Sequence, residues 1–379
     1  MRTLKAIQFG ATISTSGRYA LQGQGALAGL RAWVEATNAE GGARMLGPAT
    51  AVPVALIHYD DASSPVRAVA NIERLIAVDR VQILIGPYSS DLTRAVASVS
   101  SRYGRVLWNH GGAADDIHRP GGRVVGILTP VSRYFAGLLQ LTRSLDPHAR
   151  KVVVLHRRGS SFGRLAAKGA RAISRENGFR TTTITYSSVK DDLPRILAKL
   201  RHQRPELILS AGAFEDDCAL AQGLVTAGVK AKTFGFMAAA MQDFQEALGR
   251  KVEGFLGPSQ WEPGLGFPVD YGPAPDEVVR RIRAASAAPD YPAAQAYAAC
   301  LIAHRCLEEA ASTDDEALWQ AACAFDGSTF FGRFRIDPRT GLQIGHEMVE
   351  VQWRGGRKRI VWPPDLAEVR PEYPRAWPP

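Results

Sequence analysis

From Lys5 to Trp362 short apolar runs alternate with longer segments whose apolar residues recur every three to four positions. The runs Lys5–Ile13, Val52–His58, Ile83–Ile85 and Val106–Trp108 carry the pattern of strands buried on both faces. Between the first two, residues 22–38 place Leu27, Leu30 and Val34 on one helical face. After the loop Asp60-Asp61-Ala62-Ser63-Ser64-Pro65, Val69, Ile72 and Ile76 do the same. In order this is β-α-β-α-β-α-β, which predicts a parallel sheet covered by helices on both sides.

After Thr129-Pro130 the rhythm starts again. A helix over 134–145 leads to strands at Val152–His156, Arg180–Tyr186, Leu207–Ala211 and Thr233–Phe236, with helical segments between them. Residues 254–275, rich in Gly and Pro and carrying Trp261, Phe267 and Tyr271, read as a crossing followed by a surface loop. Helices are expected over 293–311 and 314–324, and late strands over 330–336, 348–353 and 359–362. The stretch 363–379 holds six prolines and reads as an extended tail. A chain of 379 residues is too long for one core, so two α/β lobes are expected.

The stretch Val81–Ala95 concentrates the candidate chemistry. A buried strand ends at Gly86-Pro87, and Ser89, Ser90 and Asp91 stand where the next helix begins. Free backbone N–H groups at a positive dipole end suit a carboxylate or carbonyl on a small ligand. The plainer reading is a serine that only caps its own helix.

Composition changes this picture little. Hydrophobic residues make up 46% and charged residues 22%, and no run approaches the roughly 18 apolar residues of a membrane span. The start lacks the apolar core of a signal peptide, which fits a cytoplasmic protein or a mature form with a replacement Met. The net charge of +9 reads as diffuse, a solvated surface with mild attraction for anions. No nucleic-acid motif is present. Cys218, Cys300, Cys306 and Cys323 have no metal-site spacing and read as buried free thiols.

Several stretches together resemble the type I periplasmic solute-binding proteins of the branched-chain amino-acid and amide-binding class. They are Ser16-Gly17, the helix end NAEGG, the loop DDASSP, IGPYSSDLTRAV, VVVLHRRGSSFGRLAAKGAR and PDYPAAQAYAACLIAHRCLEEA. The resemblance covers about Lys5 to Trp362. It implies two Rossmann-like lobes joined by three crossovers that close on a ligand, here near 126–130, 254–258 and 334–337. Lobe 1 would be 1–127 with 259–334, and lobe 2 would be 128–258 with 335–379. It further implies a monomer without cofactor or metal, in the periplasm, that delivers a small molecule to a membrane ABC permease. A cytoplasmic amide sensor acting on a regulator is the alternative if Met1 is the native start.

Carried over residue by residue, the resemblance assigns the ligand carboxylate to Ser89 or Ser90. The loop His110-Gly111-Gly112 takes the place of a family loop whose threonine is missing here. Phe162 matches one family aromatic, and a second either matches Phe214 or is lost at Ala213. The acid that would pair with an α-ammonium should fall near Met237-Ala238-Ala239, where no carboxylate stands. Burying an ammonium without a counter-charge costs several kcal/mol. The expected ligand is therefore a small carboxylic acid, aromatic acid or amide rather than a standard α-amino acid. Tyr88, Trp108, Phe162, Phe214 and Met237 are the expected walls, and Tyr19, Gln22 and Ala238 complete the set. Replacing Ser89 and Ser90 together by Ala is expected to abolish binding and leave the fold intact.

Two motifs compete. Gly159-Ser160-Ser161-Phe162-Gly163 matches the GxSxG of a hydrolase elbow, with Asp216, Asp217 and His304 or His346 following in order. Arg157, Arg158 and Gly159 stand between the strand and the motif's serines, which is long for a tight elbow, so a surface turn is the better reading. Gly23, Gly25 and Gly29 miss a dinucleotide fingerprint by one residue and read as close helix packing. His304 reads as a packed histidine, and Trp33 and Trp319 as packing residues.

Overall fold

A computed structural model describes residues 5–44, 51–266, 268–285 and 288–375. In chain order the elements are β1 (Ile7–Ile13), α1 (Ala20–Ala39), the two-residue strands β2 (Ala43–Arg44) and β3 (Ala51–Val52), β4 (Val54–Asp60), α2 (Pro65–Ala77), β5 (Ile83–Ile85), α3 (Ser90–Arg102), β6 (Leu107–Asn109) and β7 (Val124–Gly126). Next come α4 (Ala136–Leu145), β8 (Lys151–Arg157), α5 (Ser161–Glu176), β9 (Arg180–Tyr186), α6 (Val189–Gln203), β10 (Leu207–Ala211), α7 (Phe214–Thr226), β11 (Thr233–Phe236), α8 (Gln242–Leu248) and β12 (Leu256–Ser259). The last are α9 (Pro275–Ala284), α10 (Tyr291–Ala310), α11 (Asp315–Ala324), the hairpin β13 (Gly327–Thr329) and β14 (Gly332–Phe334), then β15 (Val349–Arg354) and β16 (Arg357–Trp362). The chain forms two compact units, one of 1–130 with 263–347, the other of 131–262 with 348–379.

The first unit holds a five-stranded, wholly parallel sheet in the order β4-β1-β5-β6-β7. Register runs from Ile7 opposite Val54 to Ile13 opposite Asp60, so the loops after β1 and β4 leave the sheet level with each other. Strand order reverses between β1 and β5, the place where open sheets of this kind bind ligands beyond the strand ends. Ser64 and Ser89 cap α2 and α3 by accepting from Arg67 N at 3.5 Å and Leu92 N at 3.3 Å, long bonds each worth about a few tenths of a kcal/mol. On the other side of the sheet Trp33 of α1 packs on Phe9, their ring centroids 4.7 Å apart.

α1 and α10 lie against each other through the expected glycines. A Cβ on Gly29 would collide with the carbonyl oxygen of Ala293, whereas one on Gly25 would meet only the Pro292 side chain at 3.4 Å. Helix propensity favours Ala over Gly by about 1 kcal/mol at both positions. Gly25→Ala should therefore hold or raise the melting temperature, while Gly29→Ala should lower stability by about 1–3 kcal/mol through forced separation of the helices. Thermal denaturation of the two variants checks this, and equal melting temperatures would refute the packing account.

The second unit repeats the plan. Five parallel strands in the order β9-β8-β10-β11-β12 reverse between β8 and β10, and β15 and β16 extend the far edge antiparallel. Phe234, Phe236 and Phe244 close on Phe255, with centroids 5.1 to 5.6 Å apart. The segment after Gly254 read as a crossing is in part a strand, β12, buried throughout. The chain passes between units at 262/263 and 347/348, later than the expected 254–258 and 334–337. Residues 335–347 stay with the first unit because Gly126 N donates to Gly341 O and the Thr129 hydroxyl lies 2.7 Å from Nδ1 of His346. The proline-rich tail is clamped rather than laid on. Glu372 and Gln352 exchange two hydrogen bonds, and Arg375, 3% exposed, lies over the Phe255 ring. Phe267 and the tail beyond Arg375 lie outside the described residues.

Candidate ligand-binding site

At the switch point of the first unit, β5 ends in Gly86-Pro87-Tyr88-Ser89. Ser89 has φ +94°, a left-handed backbone that favours glycine. The strain is held by Ser89 N donating to Gly111 O and by Thr93, whose N–H and hydroxyl both donate to Ser89 O. The half-buried Ser89 hydroxyl accepts weakly from Leu92 N at 3.3 Å, so its own proton remains to be donated at the start of α3. Ser90 differs. It is buried, and its Oγ accepts from Ala114 N at 3.1 Å, so its replacement by Ala would leave that N–H unmet at a cost of about 1–3 kcal/mol in stability.

Three tyrosines line the same edge. Tyr19, after β1, lies 6.1 Å from the Tyr88 ring, and the Tyr88 hydroxyl lies 3.3 Å from that of Tyr291 at the start of α10. Burial pushes the Tyr88 phenol up to about 12, so it stays protonated and able to donate. Gln22, two residues into α1, is buried close by in sequence. Beneath the loop, Asp61 accepts from Ser14 Oγ at 2.5 Å and Thr12 Oγ1 at 3.1 Å, pinning the loop after β1 to that after β4.

Trp108 stands inside the core at 0% exposure, so it is not the wall expected of it, and its indole N–H has no partner among the described residues. His110 is equally buried. Burial pushes its pKa down to about 4, and its ring nitrogens make no well-formed hydrogen bond among the described residues. Gly111 and Gly112 are needed as they are. A Cβ on Gly111 would strike Tyr88 Cα, and one on Gly112 would strike Thr93, so a threonine has no room here.

At the switch point of the second unit Phe162 and Phe214 follow β8 and β10, both half-buried. Phe162 meets Tyr134 edge-on at 5.7 Å, and the Tyr134 hydroxyl accepts from Gln260 Nε2 at 2.8 Å. Arg157, closing β8, lies 3.5 Å from Asp216. Ser160 caps α5 by accepting from Gly163 N at 3.0 Å, and Gly159 has φ +81°, so the serine motif forms a turn at a helix start.

The gap in charge near Met237-Ala238-Ala239 is filled from elsewhere. Asp217, on α7, reaches that loop and accepts from Ala238 N at 3.1 Å, from Gly212 N at 3.1 Å and from Ser210 Oγ at 2.6 Å. It is wholly buried, and burial lifts its pKa to about 7 against those three donors. A carboxylate does stand at Ala238, contrary to the sequence reading, but its oxygens are taken by the protein. Tyr186, also wholly buried, ends β9 with a hydroxyl beside Gly212.

Residues 6–358 match the model of the family described as periplasmic binding protein. The chain belongs to that family. Its members are solute-binding proteins rather than enzymes, typically extracytoplasmic. A curated relative, Leu/Ile/Val-binding protein homolog 7 of Brucella suis biovar 1 (strain 1330), is 24% identical over 96% of this chain and 92% of its own. Among solved structures, LivJ of Streptococcus pneumoniae in complex with isoleucine superposes with TM-score 0.79 at 17% identity, covering 95% of this chain and 100% of its own. An R. palustris ABC-transporter solute-binding protein in complex with benzoate superposes with TM-score 0.76 at 17% identity, covering 94% and 95%. Both establish the shared fold.

In this periplasmic binding protein the expected residues gather into two groups. Tyr19, Tyr88 and Ser89 meet at the first unit's switch point, with Gln22, Gly111 and Gly112 as support. Phe162 and Phe214 flank the second, and Met237 and Ala238 lie on the loop that Asp217 holds. Tyr134, Gln260 and Tyr291 were missed. Tyr291 had a signal, standing just after Asp290 at a helix start, whereas Gln260 lies 126 positions from Tyr134.

Proposed function

We propose that the chain is the extracytoplasmic solute-binding component of an ABC importer, handing its ligand to a membrane permease after hinge closure. The ligand is a small carboxylic acid, an aromatic acid or an amide rather than a standard α-amino acid. Ser89 carries this reading. Its strained backbone, its half-buried hydroxyl and the dipole of α3 converge at a switch point, where strain of about 1–3 kcal/mol is retained for function. Tyr88 and Tyr19 add phenol edges, and Phe162 and Phe214 supply apolar walls. The acids nearest the second site support the absence of an ammonium. Asp217 is saturated by three donors, and Asp216 faces Arg157.

A thermal-shift panel of leucine, isoleucine, benzoate, 4-hydroxybenzoate, short aliphatic acids and short amides tests this. A ligand at 100 times its Kd should stabilise the protein by about 2.7 kcal/mol and raise the melting temperature by several degrees. Acids or amides should shift it and amino acids should not. A shift with leucine or isoleucine instead would return the ligand to the amino acids and give Glu215 or Asp216 the ammonium.

A further inference from the structure

The positive charge that looks diffuse along the sequence is confined to one unit. Residues 131–262 and 348–379 hold 26 Lys and Arg against 16 Asp and Glu, a net +10, while the first unit holds 20 against 21, a net −1. Part of this excess is ordered on α5. Arg164, Lys168, Arg171 and Arg175 are exposed and stand at intervals of four, three and four. At 100° per residue they fall within about 60° of one another, in a stripe about 16 Å long. The opposite face is packed by Gly163, Ala166, Ala167, Gly169 and Ala170, and Gly169 lies tight against the backbone of Ser132, which fixes the helix rotation. None of the four cations has an ion-pair or hydrogen-bond partner among the described residues.

We propose that this α5 stripe is a docking surface for the anionic phospholipid headgroups of a bilayer. Four unpaired cations held in a row by a helix meet a plane of negative charge without rearrangement, and each adds to the attraction. The α5 side chains most exposed between Arg164 and Arg175 are charged or alanine, so the stripe lacks the aromatic or aliphatic anchors that dominate protein interfaces. That composition favours a diffuse charged plane over a shaped protein groove. Such docking would hold the protein beside the membrane by its second unit, and it does not depend on which ligand is carried.

The test is co-sedimentation of the full-length protein with phosphatidylglycerol–phosphatidylcholine vesicles and with pure phosphatidylcholine vesicles. It uses wild type, a variant with Arg164, Lys168, Arg171 and Arg175 each changed to Glu, and a charge-matched control with Lys190, Lys199, Lys230 and Arg250 changed to Glu. Expected is binding to the anionic vesicles alone, lost in 0.5 M salt as the Debye length shortens to a few ångström. The stripe variant should bind at least tenfold more weakly and the control within about threefold of wild type, with unfolding transitions unchanged. Equal losses in both variants would reduce the effect to net charge and overturn the stripe. Wild type that ignores vesicles at low salt also overturns the proposal. If it is then retained on immobilised poly-L-glutamate through the stripe, the partner is an acidic protein instead.

Discussion

Replacing Ser89 by glycine should hold or raise thermal stability and weaken ligand binding at least tenfold. The two effects separate because Ser89 does two things. Its φ of +94° costs about 1–3 kcal/mol in a serine and almost nothing in a glycine. Against that relief stand a few tenths of a kcal/mol for the weak cap on Leu92 N and about 0.5–1 kcal/mol for the added chain entropy of glycine. The sum runs from about zero to about 2 kcal/mol in favour of glycine, so the melting temperature should hold or rise by a few degrees. The hydroxyl that would donate to a ligand oxygen is gone, and a hydrogen bond to a charged group is worth about 1.5–3 kcal/mol. Calorimetric titration with the tightest binder of the ligand panel, beside a thermal melt, reads both quantities. Unchanged affinity would remove Ser89 from the site.

Asp217→Ala should be among the most destabilising single changes in the second unit. It strips the partner from the N–H groups of Gly212 and Ala238 and from the Ser210 hydroxyl, the last two buried and Gly212 half-buried. Leaving buried donors unmet costs about 1–3 kcal/mol apiece, so a loss of about 3 kcal/mol or more is expected, roughly 6–12 °C for a unit of this size. The pH dependence carries a sign. Burial raises the folded pKa to about 7, above the usual carboxylate value, so between pH 4 and 7 the folded state holds more protons than the unfolded one. Stability from this group is present at low pH and falls as pH rises through that window. The gap between parent and variant should therefore narrow from pH 4 to pH 7. A variant that melts with the parent at pH 5 would show that the brace contributes nothing.

Much of the architecture was legible because buried parallel strands are short apolar runs and their helices carry a clean period. Arg180–Tyr186, Leu207–Ala211 and Thr233–Phe236 match the strands observed residue for residue. β7 was missed because Val124–Gly126 is three residues long and follows Gly121-Gly122. β12 was obscured by Gly257 and Pro258, whose place is set by β15, about a hundred residues later. At the site, residue types were readable and backbone states were not. A serine at positive φ leaves no mark in composition, since Gly111 and Thr93 impose it through tertiary hydrogen bonds. Asp217 could not be paired with Ala238, because no local period links positions 21 apart across a strand and two loops.

The pairing of α1 with α10 sets a timetable for synthesis. Some 250 residues separate the two helices, and at about 5–20 residues per second the first waits roughly 12–50 s for its cover. The second unit's parallel strands are all translated within that interval. The glycine-lined face of α1 at Gly25 and Gly29, which comes to lie against Pro292 and Ala293, faces solvent or a chaperone until then. The order of synthesis leaves that face uncovered for as long as the second unit takes to be made.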